Sequence, residues 1–214
     1  MKIFLDTANY REIADRYCTG LVDGITTNPT LVKKSGANYF DFIRTLSRDF
    51  AFESISAEVD GQDADEMIEN AQQYIKLGSE VTIKLPLTQE GLIACKILSD
   101  EGVKTNVTLC FSAAQAVMTA KAGATYISPF VGRMNDNSFS GVELVRAISG
   151  LYCAQGVKTK ILAASLRDAH HVSRCLMYGA SVVTLPPSVF DKMYKNVLTD
   201  AGLAIFEKDF KEIS

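Results

Sequence analysis

Short β-branched and aliphatic runs alternate with helix-patterned stretches along the whole chain, and this alternation restricts the folds open to it more than any other feature. The strand-like runs cover residues 3–6, 21–27, 54–59, 81–85, 103–109, 125–128, 159–164 and 181–185. Helical patterning fills the gaps at 30–34, 39–48, 64–77, 90–101, 113–122, 142–155 and 169–178, with a polar helix starting near Tyr10. Gly20, Gly78, Gly102, Gly123, Gly156 and Gly179 fall just before strands, where helices end. The strands read as near-continuous apolar runs, the pattern of parallel strands covered on both faces. Eight such units within residues 1–214 predict an α/β fold, a single (β/α)8 TIM barrel. An open doubly wound sheet is the alternative, weakened because no G-x-G-x-x-G follows the first strand. Residues 200–213 read as a further amphipathic helix, with Phe206 and Phe210 one turn apart, inside a C-terminal arm at 198–214. Its apolar face is expected on its own barrel or on a neighbouring subunit.

Charge and composition narrow the function classes. A net charge of -3 gives no reason to expect nucleic acid or an anionic membrane as partner. No apolar stretch approaches the roughly 18 residues of a membrane helix. The first residues, Met1 to Asp6, lack the pattern of a signal peptide, so a cytoplasmic location is expected. The five cysteines are widely spaced without a C-x-x-C, which suggests neither disulfides nor zinc. His170 and His171 are adjacent and point about 100° apart on a helix, a poor start for a metal site. No metal is expected.

In a barrel of this kind the active site lies at the C-terminal ends of the strands, and polar residues gather there. Asp6 ends the first run, Thr26, Thr27 and Asn28 the second, Glu58 the third and Lys84 the fourth. Asn106 and Thr108 end the fifth. Ser128 ends the sixth, followed by Phe130 and Arg133, and Ser165 ends the seventh, followed by Arg167. The eighth ends with little to offer. Lys84 is the least ordinary of these, a lysine among Ile83, Leu85 and Pro86. Burial disfavours the charged amine, and a neutral lysine can form a Schiff base with a carbonyl. The plainer reading is a lysine that snorkels its ammonium into solvent.

The other residues have plain readings too. Asp6 could cap the first helix, although Asn9 is better placed. Asn28 could start a turn, and Ser165 could cap a helix starting at Arg167 while binding an anion. Taken together they suit one chemistry. Asp6 and Glu58 supply acid/base groups, Thr108 helps Glu58 hold a water, and Arg133, Arg167 and Ser165 suit a phosphate. Cys110 is assigned to packing.

Thr26-Thr27-Asn28-Pro29-Thr30, Ile83-Lys84-Leu85-Pro86, Asn106-Val107-Thr108-Leu109 and Ser128-Pro129-Phe130-Val131-Gly132-Arg133 resemble the motifs of transaldolases. Ala163-Ala164-Ser165-Leu166-Arg167 is similar to their phosphate-binding segment. The compact length resembles the small subgroup that also holds the fructose-6-phosphate aldolases. The resemblance implies a class I, cofactor-free enzyme of the pentose phosphate pathway. It would move a dihydroxyacetone unit between sedoheptulose 7-phosphate or fructose 6-phosphate and glyceraldehyde 3-phosphate or erythrose 4-phosphate. It implies Lys84 as the Schiff-base lysine, Asp6 as acid/base group, and Glu58 with Thr108 around the proton-transfer water. Thr26, Asn28, Asn106, Ser128 and Phe130 would line the dihydroxyacetone site, and Arg133, Ser165 and Arg167 would hold phosphate. A homo-oligomer is implied, a pentamer or a decamer. The aldolases carry glutamine and tyrosine where this chain has Glu58 and Phe130, so both positions resemble the transaldolase choice. An aldolase, or a sugar-phosphate-binding barrel without catalysis, is the competing expectation.

Overall fold

The structure, a computed structural model, describes residues 1–36 and 38–213, and the side chains of all of these except Lys34 and Ser35. The strands are β1 (Lys2–Asp6), β2 (Gly24–Thr26), β3 (Ser54–Glu58), β4 (Val81–Pro86), β5 (Thr105–Cys110), β6 (Tyr126–Pro129), β7 (Lys160–Ala163) and β8 (Val182–Leu185). They pair in parallel in chain order, and β8 closes on β1 to make a barrel. The helices are α1 (Tyr10–Tyr17), α2 (Pro29–Ser35), α3 (Tyr39–Asp49), α4 (Ala64–Ile75), α5 (Gln89–Asp100), α6 (Ala113–Lys121), α7 (Val131–Asp136), α8 (Gly141–Ala154), α9 (Ala169–Met177), α10 (Pro187–Lys192) and α11 (Val197–Ile213). The expected (β/α)8 barrel is what the chain forms.

Local chemistry starts these helices where they start. Asn9, Asn28, Asn38, Asp63, Thr88, Ser112, Ser140 and Asp168 each accept a hydrogen bond from a backbone N–H in the first turn that follows. Asn9 is thus the cap of α1, and Asp6 is left for other work. Asp168, and not Ser165, caps α9, which begins two residues later than an Arg167 start would require.

The strands depart from the near-continuous apolar reading. They alternate. Leu5, Ile25, Ile55, Ala57, Ile83, Leu85, Val107, Ile127, Ile161 and Val183 face the helices and join one large core. The alternate positions face the barrel interior. Its apolar floor is a separate cluster of Phe4, Tyr126, Leu162, Ala164 and Val182. Gly24 makes the floor possible, because a Cβ there would come within 2.7 Å of the Phe4 ring and 2.6 Å of Ser54 O. Above the floor the inward residues are polar, including Ser56, Glu58, Thr82, Lys84, Asn106, Thr108 and Ser128.

Four elements, β2, α7, α10 and α11, depart from the sequence pattern in extent or number. β2 begins only at Gly24, because Leu21 is exposed and Asp23 turns its carboxylate to the Ile3 N–H and to Lys2. α7 and α10 are additional one-to-two-turn helices that follow β6 and β8. α11 starts at Val197 and contributes no buried residue, and its Leu203, Ile205 and Phe206 are exposed. Residue 214 of the expected arm lies outside the described residues. No described helix is long and apolar enough to cross a membrane.

Candidate active site

A cavity of about 430 Å³ opens at the C-terminal ends of the strands, lined by Asp6, Asn28, Glu58, Lys84, Thr108, Phe130 and Arg133 among others. A second lobe of about 150 Å³ shares most of these and adds Thr26, Asn106, Ser128, Ser165 and Thr184. Adjacent strands in register bring the key groups together. Glu58 pairs with Lys84, and Lys84 pairs with Asn106, across β3, β4 and β5.

Lys84 is 7% exposed, so it does not snorkel. Its Nζ lies 2.9 Å from Glu58 Oε2 and 3.4 Å from Thr27 O. The amine is therefore held in an ion pair and not alone among apolar neighbours. Glu58 is itself positioned from below, because its backbone N–H donates to the Tyr39 hydroxyl at 2.7 Å. Burial holds the Tyr39 phenol well above its ordinary range, so it stays neutral. Nothing in a helical tyrosine's sequence neighbourhood signals this contact, since it forms across a β-strand 19 residues away.

Asp6 Oδ1 accepts from Thr26 Oγ1 at 2.9 Å. Burial pushes the Asp6 carboxyl above its usual range, while the Lys84 charge and the Thr26 hydrogen bond oppose the shift and Glu58 reinforces it. A carboxyl moved toward neutrality is suited to exchange protons at the pH where the protein works. Ser128 Oγ donates to Asn106 Oδ1 at 2.8 Å. Asn106 Nδ2 and Thr108 Oγ1 are buried without a hydrogen-bond partner among the described residues. Unpaired buried donors are costly, and both residues line the second lobe, where a ligand oxygen would satisfy them.

Of the three residues expected at phosphate, Arg133 and Ser165 line the second lobe together, and Arg167 turns away from it. Arg133 lines the cavity, with its guanidinium 5.0 Å from the Phe130 ring centre. Ser165 lines the second lobe with a φ of 59°, a conformation uncommon away from glycine. Arg167 faces a neighbouring cleft, where it forms a two-pronged ion pair with Asp136 (Nη2 to Oδ2 2.5 Å). Thr184 is the residue that the plain look of the eighth strand conceals. It is inward-facing, buried and bonded to Thr26 Oγ1 at 2.6 Å.

The site can therefore hold a carbonyl compound beside a buried amine, with one carboxylate on that amine and another poised across the cavity. The sequence profile described as Transaldolase/Fructose-6-phosphate aldolase matches residues 3–214. The chain belongs to the transaldolase/fructose-6-phosphate aldolase family. It is 51% identical over 210 residues to a probable transaldolase of Caulobacter vibrioides, covering 98% of this chain and 96% of that one. It is 47% identical over 211 residues to a probable transaldolase of Lactiplantibacillus plantarum, with 99% and 97% covered. A probable transaldolase of Methanococcus vannielii matches at 46% over 210 residues, with 98% and 97% covered.

Membership of this family agrees with the motif resemblance. Among the described residues, no titratable group other than Asp6, Glu58, Lys84 and Arg133 lines the cavity or its second lobe. Among the described residues no cluster of three or more histidines, cysteines or acids could hold a metal ion. His171 Nδ1 pairs with Asp168 at 2.5 Å. Cys110 is fully buried, and burial pushes its thiol up to about 11, which fits a packing residue better than a nucleophile.

Proposed function

We propose that the protein is a transaldolase that carries a dihydroxyacetone unit on Lys84 as a Schiff base. The observation that carries this reading is the buried Lys84 amine, 2.9 Å from Glu58, at the end of a cavity that also holds Asp6. Its relatives, named probable transaldolases, support this reading.

The steps follow from these positions. Glu58 takes a proton from the Lys84 ammonium, and the freed lone pair attacks the ketone carbon of the donor sugar. The carbinolamine loses water to give a protonated imine. Asp6 removes the proton from the hydroxyl two carbons away. The carbon–carbon bond between them breaks, its electron pair moves toward the imine nitrogen, and an aldehyde leaves. The remaining enamine attacks the acceptor aldehyde, and Asp6 returns its proton to the new hydroxyl. Water then hydrolyses the imine. Glu58 and Thr108 flank the water of the dehydration and hydrolysis steps. Asn106, Ser128, Asn28 and Thr26 hold the dihydroxyacetone hydroxyls.

Arg133 and Ser165 receive the phosphate, with Arg167 joining once it leaves Asp136. Both donor and acceptor are phosphorylated sugars of the pentose phosphate pathway, which places the reaction in the cytoplasm. The exposed apolar residues of α11 (Leu203, Ile205 and Phe206 among them) pack on another copy of the chain in a homo-oligomer.

Phe130 favours transfer over release. A phenyl ring contributes no hydroxyl to the catalytic water, so hydrolysis of the held fragment depends on Glu58 and Thr108 alone. With fructose 6-phosphate as donor, adding glyceraldehyde 3-phosphate should accelerate erythrose 4-phosphate formation well above the rate at which free dihydroxyacetone appears. Release of dihydroxyacetone faster than transfer would assign the chain to the aldolase branch of the family.

A further inference from the structure

The β8 strand contributes to the site through one hydroxyl. Thr184 is 2% exposed, and its Oγ1 lies 2.6 Å from Thr26 Oγ1. Thr26 Oγ1 in turn donates to Asp6 Oδ1 at 2.9 Å. A hydroxyl has one proton. The Thr26 proton is committed to the carboxylate, so Thr184 must be the donor of the second bond. The chain of bonds therefore has a direction, from Thr184 to Thr26 to Asp6. It spans three strands, since Thr184 is level with Phe4 across β8 and β1, and Thr26 is level with Asp6 across β1 and β2.

The fold itself does not call for that hydroxyl. Thr184 sits level with Phe4 and two residues beyond Val182, at the edge of the apolar floor, where a valine of the same shape would pack. Asp6 is also faced by Lys84 from β4 and Glu58 from β3. Lys84 attracts its carboxylate and Glu58 repels it, and among the described residues the threonine pair alone holds one of its oxygens by a hydrogen bond. Hydrogen bonds in such chains strengthen one another. With Oδ1 occupied, Oδ2 is left to exchange the substrate's proton.

We propose that Thr184 is a positioning residue, which holds Asp6 in its proton-transfer geometry by donating to Thr26. This rests on the transaldolase reading of the site. The test compares Thr184→Val and Thr184→Ser with the parent enzyme, by kcat and KM for transfer across a pH series and by borohydride trapping with fructose 6-phosphate. Thr184→Val should still form the Lys84 adduct and keep KM within about two-fold, while kcat falls about ten-fold, a fraction of what a general acid/base group contributes. The acid limb of its kcat profile should move to higher pH, because the Asp6 carboxylate has lost support. Thr184→Ser should restore both. An unchanged kcat and pH profile in Thr184→Val, with the adduct present, overturns the inference and leaves the function standing. An equal loss in Thr184→Ser also overturns it, by showing that the methyl group matters and the hydroxyl does not. Absence of an adduct in the parent enzyme overturns the functional reading, and this inference with it.

Discussion

At the scale of single residues, the site is built from groups that are costly to bury and are kept in pairs. Asp6 shows the consequence for stability. Its carboxyl is held above the usual range chiefly by burial. The folded chain therefore binds that proton more tightly than the unfolded chain does. Between the ordinary carboxylate value and the raised one, the folded state holds more protons, so stability falls as pH rises through that window. Above it the full cost of a buried carboxylate remains. Asp6→Asn should accordingly melt at a higher temperature than the parent at neutral pH, and the difference should vanish below the ordinary carboxylate range. Transfer should fall by roughly 10²-fold or more, the usual effect of losing a general acid/base group. A lower melting temperature at neutral pH would contradict this account of Asp6. Lys84, Asp6, Asn106 and Ser128 were legible in the sequence because an unusual residue type at a strand end needs only a barrel to place it. Thr184 and Tyr39 were not, because their significance lies in partners on distant strands. The Arg167 ion pair with Asp136 was hidden for the same reason, since both residues were visible and their contact was not.

At the scale of elements, close backbone contacts set where the binding groups sit. Gly132, in the first turn of α7, donates its N–H to Ser165 O at 3.0 Å, and a Cβ there would lie 2.1 Å from that oxygen. Glycine is thus what lets α7 lie against the segment after β7, and this contact aims Arg133 and Ser165 at one cavity. Gly132→Ala must push the two segments apart. It should cost about 1–3 kcal/mol by overpacking, and it should raise KM for phosphorylated sugars more than it lowers kcat. Thermal melts and steady-state kinetics measure the two effects, and an unchanged KM would refute the role given to this contact. α7 itself was not legible, since it is six residues long and directly follows a strand. The strand alternation was legible in principle. Ser54, Ser56 and Glu58, or Thr82 and Lys84, occupy every second position, but the β-branched threonines resemble an apolar run until the barrel assigns them a side.

At the scale of the whole molecule, eight strand–helix units converge one polar rim while α11 leaves the barrel. The barrel followed from the period of the sequence. The fate of α11 did not, because an amphipathic helix has the same pattern whichever surface it covers. Truncation after Asn196 should leave the barrel folded and reduce the assembly size, read as molar mass by light scattering on an eluting column. An unchanged mass would remove α11 from the interface. The central claim is that Lys84 holds the substrate covalently. Borohydride reduction in the presence of fructose 6-phosphate, followed by peptide mass mapping, tests it directly. The account predicts a three-carbon adduct on Lys84 in the parent and none in Lys84→Met. No adduct in the parent, or an adduct on another lysine, would contradict it.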